Sequence, residues 1–259
     1  MSQHSLTINE LQQINDFGTY IPQDKKLLSR EERSQALSEL MFIVENLNVV
    51  VKARKCAVGS KQRTFPVYVK SEWASPTVST DGVIITFTIE AHEGRGVAVI
   101  DLPNAFLNAE NNDQTLMLLK GKLEKLMDQI DPQMYWKHII TSSKVEPMLY
   151  VRLSKALYGL LQSALPFYRK LRSELEDFGY TVNPYDPCFA NKIINDSQMT
   201  VPWHVDDLKI SHKDIRKVTK FTKTFGYIYG DRMKIHRGKV HDYLGMDLDL
   251  SVLRCSRLV

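Results

Sequence analysis

The clearest structural signal in the chain is the segment Thr200-Val201-Pro202-Trp203-His204-Val205-Asp206-Asp207-Leu208-Lys209-Ile210-Ser211. Two short apolar stretches flank adjacent acids, which predicts a β-hairpin with Asp206 and Asp207 at its tip. Carboxylates about 4 Å apart repel by roughly 4 kcal/mol at an effective dielectric constant near 20. A divalent cation removes this repulsion, and Mg²⁺ suits the role because it prefers carboxylate oxygens. A solvent-exposed Asp-Asp turn that binds nothing is the alternative.

A second acid follows a predicted buried strand. Residues 97–100 form a continuous apolar run, typical of a strand in the middle of a sheet, and Asp101 comes directly after it. Asp101 also fits a helix N-cap, with Pro103 in the first turn. Taken with the acidic hairpin, however, it matches a two-metal phosphoryl-transfer site, in which carboxylates from separate strands hold ions roughly 3.5–4 Å apart.

Two amphipathic helices are predicted after the first acid. Apolar residues at helical spacing indicate one helix over 168–178, with Gly179 as its C-cap, and another over 215–225, ended by Gly226. Strands and helices are interleaved without a regular βαβ rhythm. The pattern therefore favours the α+β class.

The remaining segments give weaker expectations. Residues 1–35 are polar and weakly patterned, so we expect an N-terminal leader or arm. Apolar spacing over 36–43 predicts a short helix, whereas residues 65–69 are short, apolar and strand-like. The segment 243–246 is expected to begin a last short strand.

The composition limits the protein class. The chain has 259 residues, of which 43% are hydrophobic and 25% charged, which excludes collagen, coiled coils and wholesale disorder. We find no apolar run near the roughly 20 residues of a membrane span and no signal-peptide pattern at the start. Cys56, Cys188 and Cys255 are odd in number and far apart, which argues against a secreted disulfide scaffold and favours a reducing compartment.

Charge is unevenly distributed along the chain. The formal net charge is +4, but residues 1–50 carry −3 and the remainder +7. Residues 208–239 hold ten basic residues and two acids. Such a basic region suggests a polyanionic partner. Solvated helix faces are the alternative.

Several motifs in a fixed order resemble the reverse transcriptase domain of copia-type LTR retrotransposons. The matching blocks are Val51-Lys52-Ala53-Arg54-Lys55, Ser75-Pro76-Thr77-Val78, Asp101 to Asn108, Lys155-Ala156-Leu157-Tyr158-Gly159-Leu160, Tyr185-Asp186-Pro187-Cys188, His204-Val205-Asp206-Asp207 and Tyr243-Leu244-Gly245-Met246. The resemblance runs from roughly residue 41 to residue 249. It implies a DNA polymerase that uses an RNA or DNA template with a primer, and dNTPs.

The resemblance assigns the acids to metal binding and catalysis. Asp101 and Asp206 would bind both Mg²⁺ ions, and Asp207 would complete the acidic cluster. Mn²⁺ is the substitute metal.

Three basic residues would contact phosphate by the same resemblance. Arg54, with Lys52, would neutralise the triphosphate, for which a bidentate Arg–phosphate contact is suited. Lys234 would protonate or neutralise the leaving pyrophosphate. A solvated strand face is the alternative for Arg54 and Lys52.

Three further residues would recognise the nucleotide. Phe106 would lie under the sugar, where its ring clashes with a ribose 2′-OH and selects deoxynucleotides; a core phenylalanine is the alternative. Tyr158 and Gly159 would lie beside the incoming base and the template, with Gly159 allowing close backbone approach. Gly159 also fits a simple turn.

The primer-binding residues depart from the family pattern at one position. Tyr243, Leu244, Gly245 and Met246 would form the primer grip, with a plain buried strand as the alternative. His204 stands where the family has tyrosine, beside the primer end and away from the metals.

Two other features fall outside the pattern. Residues 162–166 read Gln-Ser-Ala-Leu-Pro where the family has Gln-Ser-Pro. His236 and His241 resemble a metal-binding pair, but surface histidines are expected because no third ligand is near in sequence.

The resemblance also implies the architecture, a right-handed polymerase with fingers and palm whose antiparallel palm sheet is backed by helices. Residues 36–77 and 113–163 would form the fingers, and 78–112 and 164–250 the palm with the primer grip. Residues 251–259 would begin a truncated thumb or connection, so the thumb is expected to be truncated or absent.

Partners and location follow from the family. RNase H and integrase would be the other Pol domains of a full-length polyprotein, no membrane is involved, and the location would be cytoplasmic, in a virus-like particle, with the nucleus as the alternative. A truncated or decayed remnant that binds nucleic acid without polymerising is the main competing function. An unrelated α+β phosphohydrolase would explain the acids but not the other motifs.

Overall fold

The structure is a computed structural model of the chain. It describes residues 3–45, 51–65, 69, 73–113, 115–142, 145–230, 233–251 and 254–257. The predicted strand over 65–69 falls largely outside these residues.

Helices and strands alternate irregularly along the chain. The α-helices with described bounds are α1 (Gln3–Asp16), α2 (Arg30–Gln35), α3 (Thr80–His92), α4 (Lys122–Ile130), α5 (Pro132–Tyr135), α6 (Ala164–Asp177) and α7 (Ile215–Tyr229). The strands are β1 (Tyr20–Gln23), β2 (Glu39–Glu45), β3 (Val51–Ala57), β4 (Gly96–Asp101), β5 (Leu116–Lys120), β6 (Ile140–Ser142), β7 (Val145–Leu153), β8 (Thr181–Val182), β9 (Phe189–Ile194), β10 (Ser197–His204), β11 (Asp207–His212), β12 (Lys234–Arg237), β13 (Val240–Tyr243), β14 (Met246–Asp249) and β15 (Arg254–Arg257). Short 3₁₀ turns lie at Lys25–Leu27, Gly59–Thr64, Ala105–Asn108 and Trp136–His138.

The chain forms two compact units. Unit 1 comprises Met1–Ala74 and Phe106–Phe167, and unit 2 comprises Ser75–Ala105 and Tyr168–Val259. Every pairing between named strands in the described residues is antiparallel. The α+β class is therefore confirmed. The assignment of fingers and palm to particular residues stays a prediction.

Unit 1 is built on a four-stranded sheet and a two-stranded ribbon. In the sheet β7 pairs with β1, β5 and β6, and the ribbon is β2 with β3. Its core includes Leu11 and Ile14 of α1, which are buried with Met117, Leu149 and Val151 of the sheet. Burial of these apolar side chains stabilises the unit by about 1.5–3 kcal/mol for each large residue.

Unit 2 is built on a six-stranded sheet in the order β12-β4-β11-β10-β9-β8. Strand β4 lies inside this sheet, and Ala98 and Ile100 are completely buried, as the apolar run predicts. A separate three-stranded sheet contains β13, β14 and β15. Tyr243 and Leu248 of that sheet form a core with Phe87 of α3.

Capping groups define where the helices of unit 2 begin and end. The Ser79 hydroxyl accepts a hydrogen bond from the Gly82 N–H at the start of α3, and Asp214 accepts one from the Arg216 N–H at the start of α7. Helix α7 continues through Gly226 and ends at Gly230, whose φ is +78°. The predicted end at Gly226 is therefore wrong, because the apolar face of α7 extends one turn further.

Two expectations for the N-terminal part are wrong. Residues 3–35 are not a free arm, because α1 packs its apolar face into the core of unit 1 and Ser29 and Glu32 form a capping box on α2. Residues 36–43 do not form a helix: Glu39–Glu45 is a strand that pairs with β3 along its whole length. The partner is the next strand along the chain, and the apolar spacing over 36–43 does not reveal this pairing.

The structure also corrects the expectations for the C-terminal strands. Residues 243–246 form the tight turn between β13 and β14: Tyr243 ends β13 and Met246 begins β14, which is followed by a further strand, β15. Residues 254–257 form β15, which extends the same three-stranded sheet, whereas 252–253 and 258–259 lie outside the described residues. No helix within the described ranges combines the length and the apolar character needed to cross a membrane.

Candidate active site

Four predicted site residues form one row across the sheet of unit 2. Strand register pairs Lys234 with Asp101, Asp101 with Asp207, and Asp207 with His204. Directly opposed residues of an antiparallel ladder have Cα atoms about 4.5–5.5 Å apart and side chains on the same face. The row therefore brings residues from strands β12, β4, β11 and β10 side by side. The Lys234 ammonium lies 3.5 Å from an Asp101 carboxylate oxygen.

Asp206 belongs to the turn of the predicted hairpin. The turn consists of Val205 and Asp206 between the paired residues His204 and Asp207, so Asp207 starts β11 rather than forming the tip. Val205 has a φ of +55°, which is rare for a β-branched residue. The Leu102 N–H donates to the Asp206 carbonyl at 2.9 Å, which ties this turn to the end of β4. Backbone strain of this kind concentrates at functional sites.

The carboxylates of the row influence each other electrostatically. Burial raises the pKa of Asp207 to about 7, and nearby negative charge adds to this effect. That charge comes from Asp206, Asp101 and Asp242. In the part of the chain that the structure describes, no three His, Cys, Asp or Glu side chains have donor atoms arranged to share one metal ion. The acids are thus neighbours on one face but do not converge as they stand.

A buried ion pair supports strand β11 beneath the row. The Lys209 ammonium lies 2.6 Å from both carboxylate oxygens of Glu90 and 3.2 Å from the Thr86 hydroxyl, and both charged side chains are buried. Glu90 and Thr86 lie on α3. Since side chains alternate along a strand, Lys209 and Asp207 point to the same face, so α3 is anchored to the face that carries the acids.

Tyr158 of unit 1 contacts two other predicted substrate-binding residues, Arg54 and Phe106. The Arg54 guanidinium lies over the Tyr158 ring at 4.7 Å, and the Phe106 ring meets Tyr158 edge-on at 4.7 Å. Such cation–π and edge-to-face contacts hold flat groups in defined orientations. Phe106 is half-buried rather than a core residue. Lys52 lies on the same half-exposed face of β3 as Arg54, because the two are separated by one residue.

Gly159 is required by the backbone beside Tyr158. Its φ is +89°, and a Cβ at this position would lie 2.1 Å from the Ala57 carbonyl oxygen. The Tyr158 carbonyl accepts a hydrogen bond from the Ala57 N–H at 2.7 Å. Gly159 therefore allows the Tyr158 backbone to pack directly onto the end of β3, the strand that carries Arg54.

The predicted primer grip is a hairpin turn with a buried anchor. Tyr243 is only 1% exposed and belongs to the core of unit 2, so its ring does not form a surface for a primer. Leu244 and Gly245 have φ values of +55° and +69°, which is the pattern of a type I′ turn. Gly245 is exposed at the tip, and Met246 is half-buried.

A comparison with protein families adds to this geometry. Residues 41–252 match the model of the reverse transcriptase (RNA-dependent DNA polymerase) family. This chain belongs to the reverse transcriptase family. The match includes both acidic segments, β3 and the 243–246 turn.

Comparisons with individual proteins provide less information about this chain than the family match does. One solved structure similar to this reverse transcriptase chain is telomerase from Candida albicans in complex with a TWJ fragment of telomeric RNA, with a TM-score of 0.49 and 8% sequence identity. The alignment covers 99% of this chain and 51% of the telomerase chain, so our chain spans about half the length of that protein. No curated protein matches the chain.

One prediction about the histidines of this reverse transcriptase chain is wrong. His241 is not a surface residue but 1% exposed, and its Nδ1 lies 3.3 Å from Nδ1 of His236. The His241 Nε2 lies 3.1 Å from the Gly238 carbonyl, to which its N–H donates. Burial, followed by the nearby His236, lowers the pKa of His241 to about 4.

Sequence reasoning missed the buried and charged residues next to the reverse transcriptase motifs. Glu90 and Lys209 form the buried ion pair, and Asp242 adds negative charge near Asp207. The available signal was a single lysine inside the apolar run Leu208-Lys209-Ile210 and, on α3, an acid at Glu90 within the apolar stretch that follows the first turn. A charge in such a position is seldom left unpaired.

Proposed function

We propose that this chain is the polymerising part of a copia-type retrotransposon reverse transcriptase, which joins a dNTP to the 3′-OH of a primer on an RNA or DNA template. The observation that carries the proposal is the row that aligns Asp101 with Asp207 at the strand ends, with Asp206 in the adjoining turn. The family match supports the reaction, and the motif order supports the copia-type assignment.

We propose Mg²⁺ as the metal, with Mn²⁺ as a substitute. Asp101, Asp206 and Asp207 offer only carboxylate oxygens, the donors that Mg²⁺ prefers. Burial, and after it the neighbouring negative charge, raises the pKa of Asp207, and a cation would offset the charge part of this effect. When bound, a pair of Mg²⁺ ions supplies charge stabilisation to the attacking and leaving oxygens. The chemistry of the donor set therefore fits the ions.

The proposed roles of the other residues follow from their contacts. Arg54, held over the Tyr158 ring, binds triphosphate oxygens through its fork of N–H donors, and Lys52 on the same strand face adds charge. Phe106, held edge-on by Tyr158, excludes a ribose 2′-OH.

Unit 2 contributes residues for the primer and the leaving group. Lys234, beside Asp101, neutralises pyrophosphate as it leaves. His204 ends the row on the primer side, and the turn with half-buried Leu244 and exposed Gly245 at its tip contacts the primer backbone, with Met246 next to it. Tyr243 acts from the core, as the anchor of this turn.

The partner domains and the cellular location are also proposals. RNase H and integrase are the expected partner domains of a longer Pol polyprotein, and the expected location is a cytoplasmic virus-like particle, with the nucleus as the alternative. Support for both comes only from the resemblance to copia-type elements. Fractionation of cells expressing the complete element tests the location, and absence of the chain from sedimenting particles would contradict it.

Primer extension tests the polymerase function. On poly-rA/oligo-dT with Mg²⁺, we expect the parent chain to extend the primer and Asp206→Asn to reduce extension at least 10³-fold, because removal of a charge-stabilising group costs about 10²–10³ or more in rate. Asp196→Asn is the matched control, since Asp196 lies in another hairpin turn of the same sheet and has a φ of +57°. Equal activity of the two variants would contradict the proposal.

A sugar-selection assay tests Phe106 separately. We expect Phe106→Ala to accept ribonucleotides more readily, whereas Trp136→Ala, which removes an exposed aromatic ring of the same unit, does not. Unchanged selectivity in Phe106→Ala would remove this role without affecting the assignment of the acids.

The competing function is nucleic-acid binding without polymerisation. The observation on its side is that the described acids do not converge on a common metal position. A parent chain that binds primer–template but adds no nucleotide with either Mg²⁺ or Mn²⁺ would support this alternative.

A further inference from the structure

Unit 2 contains a groove that the proposed polymerase reaction does not use. It has a volume of about 500 Å³ and lies between α7, the hairpin of β9 and β10, and the end of α6. Lys192, Lys217 and Lys220 line it, together with aromatic and aliphatic side chains, and the lining contains no carboxylate in the described residues. Within the same residues, neither Lys217 nor Lys220 forms an ion pair.

The groove is remote from the acids. Trp203 stacks on Tyr168 of α6, and the Met199 sulfur accepts a hydrogen bond from the Tyr180 hydroxyl, so Met199 and Trp203 point to the helix face of the sheet. His204, next in sequence, points to the opposite face, which carries Asp207. From Met199 to His204 the strand runs about 17 Å at roughly 3.3 Å per residue. The groove therefore lies on the sheet face opposite to the one that carries Asp207, and near the opposite end of β10 from His204.

We propose that this groove binds a single strand of RNA or DNA outside the polymerase site. Lys217 and Lys220 are three residues apart on α7, a rise of about 4.5 Å along the helix axis, so both lie on one side of the helix and each can bind a phosphate. Helix α7 carries four basic residues and no acid, so the field over the groove favours a polyanion.

The aromatic side chains select nucleic acid among polyanions. Phe178 is half-buried at the groove, with its ring 6.0 Å from that of Phe225, and Ile193 beside it is 66% exposed. A base can stack on such a surface, because every base has a flat apolar face, whereas the carboxylate of an acidic peptide cannot. Asn195 and Thr224 add hydrogen-bonding groups at the rim. Lysines around an aromatic floor are the combination found in single-strand binding grooves.

Lys192 stabilises the backbone at the edge of the groove. Its ammonium donates to the Phe178 carbonyl at 2.5 Å and lies 5.7 Å from the Tyr180 ring centroid. This contact satisfies a carbonyl at the C-terminal end of α6 and fixes the Phe178 backbone. Lys192 therefore shapes the groove, and Lys217 and Lys220 bind the phosphates.

A binding assay with a charge-matched control tests the proposal. The probe is a fluorescein-labelled oligo(U) or oligo(dT) dodecamer, measured by anisotropy in the Asp206→Asn background, so that loss of polymerisation does not affect the result. We expect Lys217→Gln/Lys220→Gln to weaken binding at least fivefold and to reduce the slope of log affinity against log salt by about 1.4, at roughly 0.7 per phosphate contact on a single strand. Lys213→Gln/Lys223→Gln removes the same charge outside the groove and should weaken binding less than twofold.

Two further measurements test whether a base stacks on Phe178. Phe178→Leu keeps the apolar packing and removes the ring, and we expect at least a threefold loss of affinity. A dodecamer containing 5-iodouracil should photo-crosslink to the tryptic peptide of residues 173–192. Crosslinks that map only to unit 1 would overturn the proposal.

Two other results would also overturn it. One is an equal loss of affinity in the two double-lysine variants, which would mean diffuse charge rather than a groove. The other comes from competition with an oligo-glutamate dodecamer. If this peptide displaced the oligonucleotide from the Asp206→Asn chain but not from its Lys217→Gln/Lys220→Gln derivative, the groove would be a site for acidic peptides.

Discussion

Asp101 and Asp207 are directly opposed in the ladder between β4 and β11, so the two carboxylates share one face of the sheet of unit 2. Each comes from a different part of the sequence, and neither alone distinguishes a metal site from a cap or a turn. The two residues face each other only because β4 and β11 pair antiparallel in this particular register. The candidate site is therefore a property of the sheet rather than of either motif.

Mg²⁺ should stabilise the folded chain through this pair. At 10 mM Mg²⁺, a site with a Kd near 1 mM gives about 1.4 kcal/mol, or roughly 2–4 °C in Tm for a chain of this size. We expect Asp101→Asn and Asp207→Asn to lose most of this gain and Asp196→Asn to keep it. Thermal unfolding with and without the ion measures the effect, and an equal gain in all variants would argue against metal binding by the row.

Breaking the buried pair of Glu90 and Lys209 should be costly. Glu90→Gln leaves the Lys209 ammonium without its counter-charge in the core, and we expect the free energy of unfolding to fall by about 3–5 kcal/mol. The double variant Glu90→Leu/Lys209→Met should recover much of this loss, because no charge then stays buried. Urea unfolding measures both.

A surface pair provides the comparison for this experiment. Arg172 and Glu176 are both 44% exposed, and Glu176→Gln should change stability by less than about 1 kcal/mol. If Glu90→Gln changed stability equally little, the buried pair would not anchor α3 to the sheet.

Gly159 should tolerate no side chain. In Gly159→Ala, a methyl group meets the Ala57 carbonyl oxygen and the residue keeps a positive φ, so we expect a loss of more than about 3 kcal/mol. Gly18→Ala separates the two causes, since Gly18 has a φ of +61° with no atom within 4 Å of an added Cβ. We expect that control to cost about 1–2 kcal/mol, which is the strain alone. Similar losses in both would mean that the close approach is unimportant.

Acid should destabilise the protein through His241. Its pKa is lowered to about 4 in the folded chain, whereas the unfolded chain keeps a value near 6.5. Between these values the unfolded state binds more protons, so this contribution is complete above about pH 6.5 and is lost as the pH falls towards 4. We expect about 1–2 kcal/mol to be lost between pH 7 and pH 5.

Variants at the two histidines check this assignment. His241→Gln should flatten the pH dependence of Tm, whereas His236→Gln, at the exposed partner, should reduce it only slightly. A pH profile of His241→Gln that parallels the parent would contradict the prediction.

Arg54 should act through its shape as well as its charge. Arg54→Lys keeps the positive charge but loses the planar group over Tyr158 and the bidentate fork, so we expect KM for dNTP to rise about tenfold. Lys52→Arg should change KM less than twofold. Steady-state primer extension measures both, and a kcat loss without a KM change would assign Arg54 to a later step.

The central features of unit 2 could be predicted from the sequence because their signals are local. The apolar run before Asp101 and the hairpin around Asp206 appear as expected, with the difference that Val205 rather than Asp207 occupies the turn. The helix over 168–178 is equally clear, since its apolar stripe and Gly179 lie within one segment.

The wrong expectations concern segments whose conformation depends on pairing, burial or turn geometry rather than on the spacing of their apolar residues. Residues 36–43 carry apolar side chains in a helix-like spacing, but pairing with β3 makes residues 39–45 a strand. Helix α1 gains its stability from burial of Leu11 and Ile14 rather than from a strong local pattern. Leu244 adopts a positive φ that its side chain disfavours, so a turn was not foreseen at 243–246.

The alignment of four strands in the acidic row limits how the chain length can vary. Since successive side chains alternate between faces, one inserted or deleted residue within β4 or β11 would send the adjoining acid to the wrong face. The turn at Asn195 and Asp196, at the other end of the hairpin, can take an insertion without disturbing that phase. Indels among related chains should therefore accumulate at that turn and avoid the strands that lead into Asp101 and away from Asp207.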